Sequence, residues 1–427
     1  MLDRSIPPAF QVVDKVSILE ANTQYLDNGI PVHMINAGGQ PVLRVELFFK
    51  AGSAFEPKLG NSYFVIKMMR EGTSKRNTQQ ISEYIDQYGA FVEFKPGPDR
   101  VGIILYTMAK YLDNLLGLIQ ELLNEATFPE KELENFKNIS HQNLLLNLKR
   151  NGFVASRIMN HVLFGNHPYG LDLTDEAINQ INREDLLAFY NTFIKDNPCD
   201  IIVSGETNDE VFNTLNQYFG RLDLSNYLKM DHKMLSKPVS LPQKHHLEVR
   251  EQSTQSSIRI GQLSLTKNHP DYPSFIILNE IFGGYFGSRL MSNIREDKGY
   301  TYGVYSRVAL FEQAAYYGIM TDVRKEFTQQ TIDEIHKESK RMRTELVSKD
   351  ELELVRNYMS GSLTSTINSP FALADIFKGL YFHGLDYSFY QAYFEALKNI
   401  TSQDLMELAN KYLHTEEMHE IVVGGKE

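Results

Sequence analysis

Arg295 and Tyr302 stand seven residues apart (302 − 295 = 7) within the stretch from Phe282 to Ser306, FGGYFGSRLMSNIREDKGYTYGVYS. A guanidinium fork and a phenol are suited to holding a carbonyl oxygen, or the oxyanion that develops when that carbonyl is attacked. Such chemistry needs both tips at one place. Gly283 and Gly284 open the stretch, and Gly287 and Gly299 interrupt it, which permits close backbone approach or positive φ. Between them SRLMSNIRE reads as a helix that ends near Gly299. TYGVYSRVAL then shows the β-branched and aromatic enrichment of a strand. Arg295 therefore sits at a helix end and Tyr302 at the start of the next strand. By residue type alone, an Arg and a Tyr near a strand edge are ordinary surface residues, so the pair takes its meaning from the rest of the chain.

A chain of 427 residues, 42% of them apolar, is too long for one small core and implies two or three domains. With 43 basic against 54 acidic residues the net charge is −11, which argues against a broad nucleic-acid footprint. Cys199 is the only cysteine, so an internal disulfide and a thiolate zinc cage are excluded. No apolar run of about 18 residues is present, and no membrane span is expected. The opening MLDRSIPPAF has no apolar run behind a basic cluster. A soluble, cytoplasmic protein is expected, with the periplasm as the alternative if a signal peptide has been removed.

After Tyr25 the chain reads LDNGIPVHMINAGGQPVLRVELFFKAGS, an Asn-Gly turn, a strand, a second turn and an alternating strand. Helices are expected over Ser62 to Arg70, Thr78 to Tyr88, Tyr111 to Asn124, Glu130 to Lys149, Val154 to Phe164 and Arg183 to Phe193, with strands at Val101 to Met108 and Asp200 to Ser204. The hairpin-like opening and grouped helices favour an α+β unit, an antiparallel-rich sheet with helices on one face. The second half repeats the first. Glu132-Leu-Glu134 answers Glu351-Leu-Glu353, Gly165 answers Gly384 (384 − 165 = 219), and DIIVSG answers EIVVGG at an offset of 219 to 220. Two homologous domains follow, residues 1–222 and 247–427, joined by a polar linker at 223–246.

The stretch around Arg295 resembles the second-half signature of the M16 metallopeptidases, the family of pitrilysin, insulin-degrading enzyme and mitochondrial processing peptidase. Gly283, Gly284, Ser288, Arg289, Leu290, Arg295, Glu296, Gly299 and Tyr302 stand at the matching positions. The resemblance implies two LuxS/MPP-like domains forming half a clamshell. It also implies that Arg295 and Tyr302 are the substrate-contacting R/Y pair, with Gly283, Gly284, Ser288 and Arg289 beside the substrate. In the first half the family carries His-x-x-Glu-His on a helix, two imidazoles on one face for Zn²⁺ and a carboxylate to activate water. The flanks are present as AGSAFEPKLG and EGTS, but Tyr63, Ile66 and Lys67 stand where His, Glu and His belong. The third ligand is expected near Gln142 or Asn143, in a segment without a carboxylate from Ile139 to Leu148, and Glu93 replaces an asparagine beside the site.

No other residues offer that chemistry. His141 is alone in its helix, His161 and His167 flank a turn, His245-His246 are adjacent, and His414 and His419 are five apart; none gives three ligands with an open position. GGYFGS lacks the ending of a phosphate loop, and no Gly-x-Ser-x-Gly elbow occurs. The resemblance therefore implies the non-catalytic subunit of a heterodimeric M16B peptidase. This chain would bind an extended peptide and no metal, and a partner subunit with an intact His-x-x-Glu-His would supply zinc. The alternative is a homodimeric peptide-binding or scaffold protein. Neither nucleic acid nor membrane is an expected partner.

Overall fold

In VLRVELFF, Val42–Phe49, every second residue is a large apolar one: Leu43, Val45, Leu47 and Phe49 enter one core. Arg44, Glu46 and Phe48 point to the other face, yet Arg44 is only 5% and Glu46 0% exposed. The strand is covered on both sides, and what covers the polar side comes from the far end of the chain.

The computed structural model describes residues 17–223 and 235–425. Part of the expected linker, 224–234, lies outside the described residues; its last two positions, His245 and His246, already belong to a strand. The first sheet comprises β1 (Asn22–Tyr25), β2 (Pro31–Asn36), β3 (Val42–Phe49), β4 (Phe91–Lys95), β5 (Val101–Met108) and β6 (Asp200–Gly205), in the order β1-β2-β6-β3-β5-β4. The second comprises β7 (His245–Val249), β8 (Gln255–Leu263), β9 (Thr301–Leu310), β10 (Ala315–Arg324) and β11 (His419–Gly424), in the order β7-β11-β8-β10-β9. Among the described residues only β2–β6 and β7–β11 pair in parallel, so the α+β, antiparallel-rich expectation holds. The repeat offset resolves to 219. Gly205 and Gly424 close equivalent strands at φ 128° and 135°, where a Cβ would lie 2.1 Å from Val42 O and 2.4 Å from Gln255 O.

Within each half, helices pack on one face of the sheet around a large apolar core. In the first half these include α1 (Asn61–Met68) and α2 (Glu130–Leu148). The second face is closed by exchange. Helix α3 (Asn151–Phe164), from the first half, lies on β8 and β11, burying Val154, Met159, Val162 and Phe164 with Ile421 and Val423. Its equivalent α4 (Pro370–Tyr381), 219 residues on (370 − 151 = 219), lies on β2 and β6 and buries Leu373, Ala374 and Phe377 with Ile35, Phe48 and Ile202. Each half is completed by a helix of the other.

The polar residues under α4 form a connected network. Arg44 donates to Phe371 O at 2.7 Å and Asp375 Oδ1 at 3.0 Å and pairs with Glu46 at 2.5 Å; Lys378 donates to the other Glu46 oxygen and pairs with Asp375 at 2.8 Å. Tyr381 donates to Asp200 Oδ1 at 2.8 Å. His33 lies against Phe377 and Tyr381, ring centroids 4.7 and 4.4 Å away, with Nδ1 2.8 Å from Thr23 Oγ1.

Two outcomes follow for unfolding in urea. Lys378→Met leaves Glu46 in the interior with one partner fewer and is expected to cost about 3 kcal/mol, most of it recovered when Glu46→Gln is added. Burial holds His33 at about 4, below the ordinary 6.5. Its contribution is therefore complete above pH 6.5 and is lost as pH falls through 4, about 3 kcal/mol in all; His33→Gln should flatten that part of the profile.

Candidate functional site

Helix α1 is set in place by the residues that frame the family's zinc motif. Glu56 accepts from Gly60 N and Ser62 N, both at 2.9 Å, closing the amino end of the helix, and Ser62 Oγ donates to Ala51 O at 2.8 Å. Burial outweighs those two donors and lifts the Glu56 carboxyl to about 7. Gly60 has φ 95°, and a Cβ there would lie 2.7 Å from Leu173. At the far end Thr73 Oγ1 donates to Glu121 at 2.5 Å, and Arg76 pairs with the same carboxylate. These flanking residues carry structural work that does not depend on a metal.

The motif positions themselves hold other contacts. Tyr63 stacks on Phe136, centroids 5.7 Å apart, with the edge of Phe64 alongside. Ile66 is fully buried in the core. Lys67 Nζ donates to Phe94 O, 2.7 Å away on edge strand β4. Asn143 is exposed on α2, and Glu93 is exposed on β4. His141 on α2 is bonded to Asp175. A catalytic zinc needs converging N, O or S donors with an open position. An interior isoleucine and an ammonium already bonded to a carbonyl do not fit it, and among the described residues no group of three His, Cys, Asp or Glu is placed to hold a metal.

In the second half the helix expected over SRLMSNIRE is present in a widened form. Glu280–Gly284 and Met291–Asp297 are π-helical, a geometry often found at functional sites. Gly283 packs directly on β9, where a Cβ would meet Ser306 Oγ at 2.5 Å; at Gly284 it would meet Glu280 at 2.5 Å. Ser288 is buried, and Arg289 forms a bidentate pair with Glu351, 2.8 Å at each contact, which holds the turn against the Lys349–Thr366 helix. Arg295, a third exposed, lies with its guanidinium 4.4 Å from the centre of the Phe286 ring and 3.8 Å from Glu296. Phe286 is itself exposed.

Tyr302 is 95% exposed. Strand alternation alone would turn it inward with Val304 and Ser306, both buried. A β-bulge prevents this: Thr321 lies opposite Val304 and Val323 opposite Thr301, so Tyr302 and Gly303 together face only Asp322. Two threonines hold the irregularity. Thr301 Oγ1 donates to Asp322 O at 2.7 Å and accepts from Gly303 N at 3.1 Å, and Thr321 Oγ1 donates to Gly303 O at 2.9 Å. Thr301, Thr321 and Phe286 are residues that sequence reasoning missed. A glycine inside an otherwise β-branched strand was the available signal for the bulge.

Comparisons with known proteins bear on the family and the fold. Residues 32–163 match the model described as insulinase (peptidase family M16), and residues 180–359 match the one described as peptidase M16 inactive domain. The chain is 23% identical over 346 residues to an uncharacterized zinc protease, YmxG, of Bacillus subtilis, covering 80% of this chain and 83% of that one. It is 21% identical over 402 residues to the non-peptidase homolog YmxG of Helicobacter pylori, covering 90% of each. Among solved structures, the peptidase M16 inactive domain from Pseudomonas fluorescens superposes with a TM-score of 0.85 at 22% identity, over 96% of this chain and 99% of that one. A chain of complex III2 from Candida albicans superposes with a TM-score of 0.74 at 16% identity, over 94% and 95%. Two halves of one fold, joined by exchanged helices and with the metal positions filled by other contacts, mark this chain as a member of the M16 peptidase family, of its inactive type.

Proposed function

We propose that this chain is the non-catalytic, R/Y-bearing subunit of a two-chain M16 peptidase. It would bind an extended peptide and stabilise the transition state, while a partner subunit with an intact His-x-x-Glu-His supplies the zinc. One observation carries the reading: Tyr302 is turned out of its sheet by a built bulge, and Arg295, on the helix that leads into the same strand, rests on an exposed ring, although Tyr63, Ile66 and Lys67 stand at the family's zinc-motif positions. A structural tyrosine would gain from burial instead.

In this reading a peptide adds as a strand to a free sheet edge, such as that of β9, and main-chain hydrogen bonds give most of the recognition. Zinc in the partner supplies the activated water. The Arg295 guanidinium and the Tyr302 hydroxyl donate to the peptide carbonyl oxygen and hold it as it gains charge. Phe286 limits where Arg295 can swing, and the two threonines keep the phenol outside the sheet. The fold shared with the complex III2 chain supports a second reading, a scaffold without proteolysis, and the same experiment separates the two.

Cleavage of a quenched fluorescent peptide should appear only when this chain is mixed with a zinc-motif partner. Arg295→Ala or Tyr302→Phe should each lower the rate about 100-fold with little change in the unfolding midpoint. Partner activity that is indifferent to this chain or to both substitutions would leave the scaffold reading. Thr321→Val, which removes a bond holding the bulge, should lower the rate about tenfold and shift the Tyr302 resonances in an NMR spectrum; an unchanged rate would separate the bulge from the function.

A further inference from the structure

A cleft of about 600 Å³ opens where the corner between α2 and α3 meets the second sheet, lined by residues of both halves. Its walls carry three cations, Lys149, Arg150 and Arg259, against one carboxylate, Asp322. That balance is the reverse of the whole chain's, whose net charge is −11. Asp322 is also engaged, accepting from Ser257 Oγ at 2.6 Å and from Arg259 at 3.3 Å. Lys149 and Arg150 are exposed, the only polar side-chain contact of Arg150 among the described residues is Asn147 Oδ1 at 3.3 Å, and neither is in an ion pair among the described residues.

Arg259 sets the floor of the cleft. Its side chain is 11% exposed, Nη1 donates to Thr321 O at 3.1 Å, and Nε has no partner. Gly152 permits this placement, because a Cβ there would lie 2.9 Å from Nη2. Helix α3 starts at this point with no side-chain cap, so its positive end adds to the field. The cleft is continuous with the R/Y edge: Ser257 pairs with Asp322, and the backbone of Asp322 is the group opposite the bulge at Tyr302. One strand separates β8 from β9, so the backbones that carry Arg259 and Tyr302 run about 10 Å apart, the span of roughly three extended residues. Arg307, exposed on β9 opposite Gly318, adds a further cation on that strand.

We infer that this inter-half cleft is an anion subsite that takes a carboxylate of the bound peptide, an acidic side chain or the free carboxyl terminus, held by Lys149 and Arg150 over the Arg259 floor. The inference rests on the peptide-binding reading above and adds a preference to it: acidic peptides, in spite of the acidic chain. Long-range charge would favour basic ones, but a local cluster of cations governs contacts within a Debye length of about 8 Å. A ligand here would touch both halves at the seam formed by α3.

The test is binding of a short fluorescein-labelled peptide, followed by anisotropy. Versions with a Glu and a free terminus are compared with their Gln and amidated counterparts, on the native chain, on the Lys149→Gln/Arg150→Gln double variant and on Arg295→Ala. The acidic version should bind about tenfold tighter to the native chain, as expected for one charge-assisted hydrogen bond. The double variant should abolish the preference, and Arg295→Ala should keep it. Equal affinities on the native chain, or a preference that survives in the double variant, would overturn the subsite. Failure of every peptide to bind would overturn the peptide-binding reading together with it, whereas binding without charge preference would overturn the subsite alone. Inorganic phosphate is titrated at matched ionic strength as a further arm; binding of phosphate with no preference among peptides would reassign the cleft to a free small anion.

Discussion

The structure depends on the exchange of α3 and α4 between its halves. Neither sheet can leave its second face in water, because each carries apolar residues there, Ile35, Phe48 and Ile202 in one and Ile421 and Val423 in the other. Among the described residues, neither half covers them with a helix of its own. Each buried side chain of this size contributes about 2 kcal/mol, so the two small cores make separation of the halves expensive. Glu46 makes the requirement sharper. A carboxylate with no exposed surface is tolerable only with both of its cations in place, and one of them, Lys378, comes from α4.

That coupling fixes how the candidate site is built. The turn between β4 and β5 is tied to the turn between β9 and β10: Arg100 pairs with Glu312 at 2.5 Å, Asp99 accepts from Glu312 N at 3.1 Å, and Tyr169 stacks on Phe311 at 4.3 Å. The edge that carries Tyr302 is thus held in a fixed relation to the first half, where the metal positions would be. A bulge on an edge strand twists easily, and here the anchored turn at one end and the threonine bonds at the other leave it little freedom.

The separate fates of the two motifs have a physical explanation. The residues around the zinc positions cap α1, support a left-handed glycine and bury a hydroxyl–carboxylate pair, so replacing them would damage the fold whether or not a metal is bound. The ligand positions have no such duty. Ile66 gains from burial in the core, Tyr63 gains a stacking partner, and Lys67 satisfies a carbonyl on an edge strand that would otherwise face water. Loss of the chemistry therefore required no adjustment of the framework.

Read alone, the sequence determined the repeat, the fold class, many of the first half's helices and strands and, through the family resemblance, which residues stand at its zinc-motif positions. These rest on local periodicity, turn residues and side-chain chemistry, which act over a few neighbours. Strand β5 and the helix Arg183–Phe193 lie where their patterns put them. The tertiary structure alone decided the rest. Arg44 and Glu46 read as the wet side of an alternating strand, but a helix more than three hundred residues away covers them. The burial of Val304 and Ser306 on the same strand would turn Tyr302 inward by parity, yet the two residues facing Asp322 turn it out. SRLMSNIRE reads as an α-helix, and the packing of Gly283 on β9 accompanies a π turn. In each case the deciding contact joins segments far apart in the chain, where local pattern carries no information about which surface will meet which.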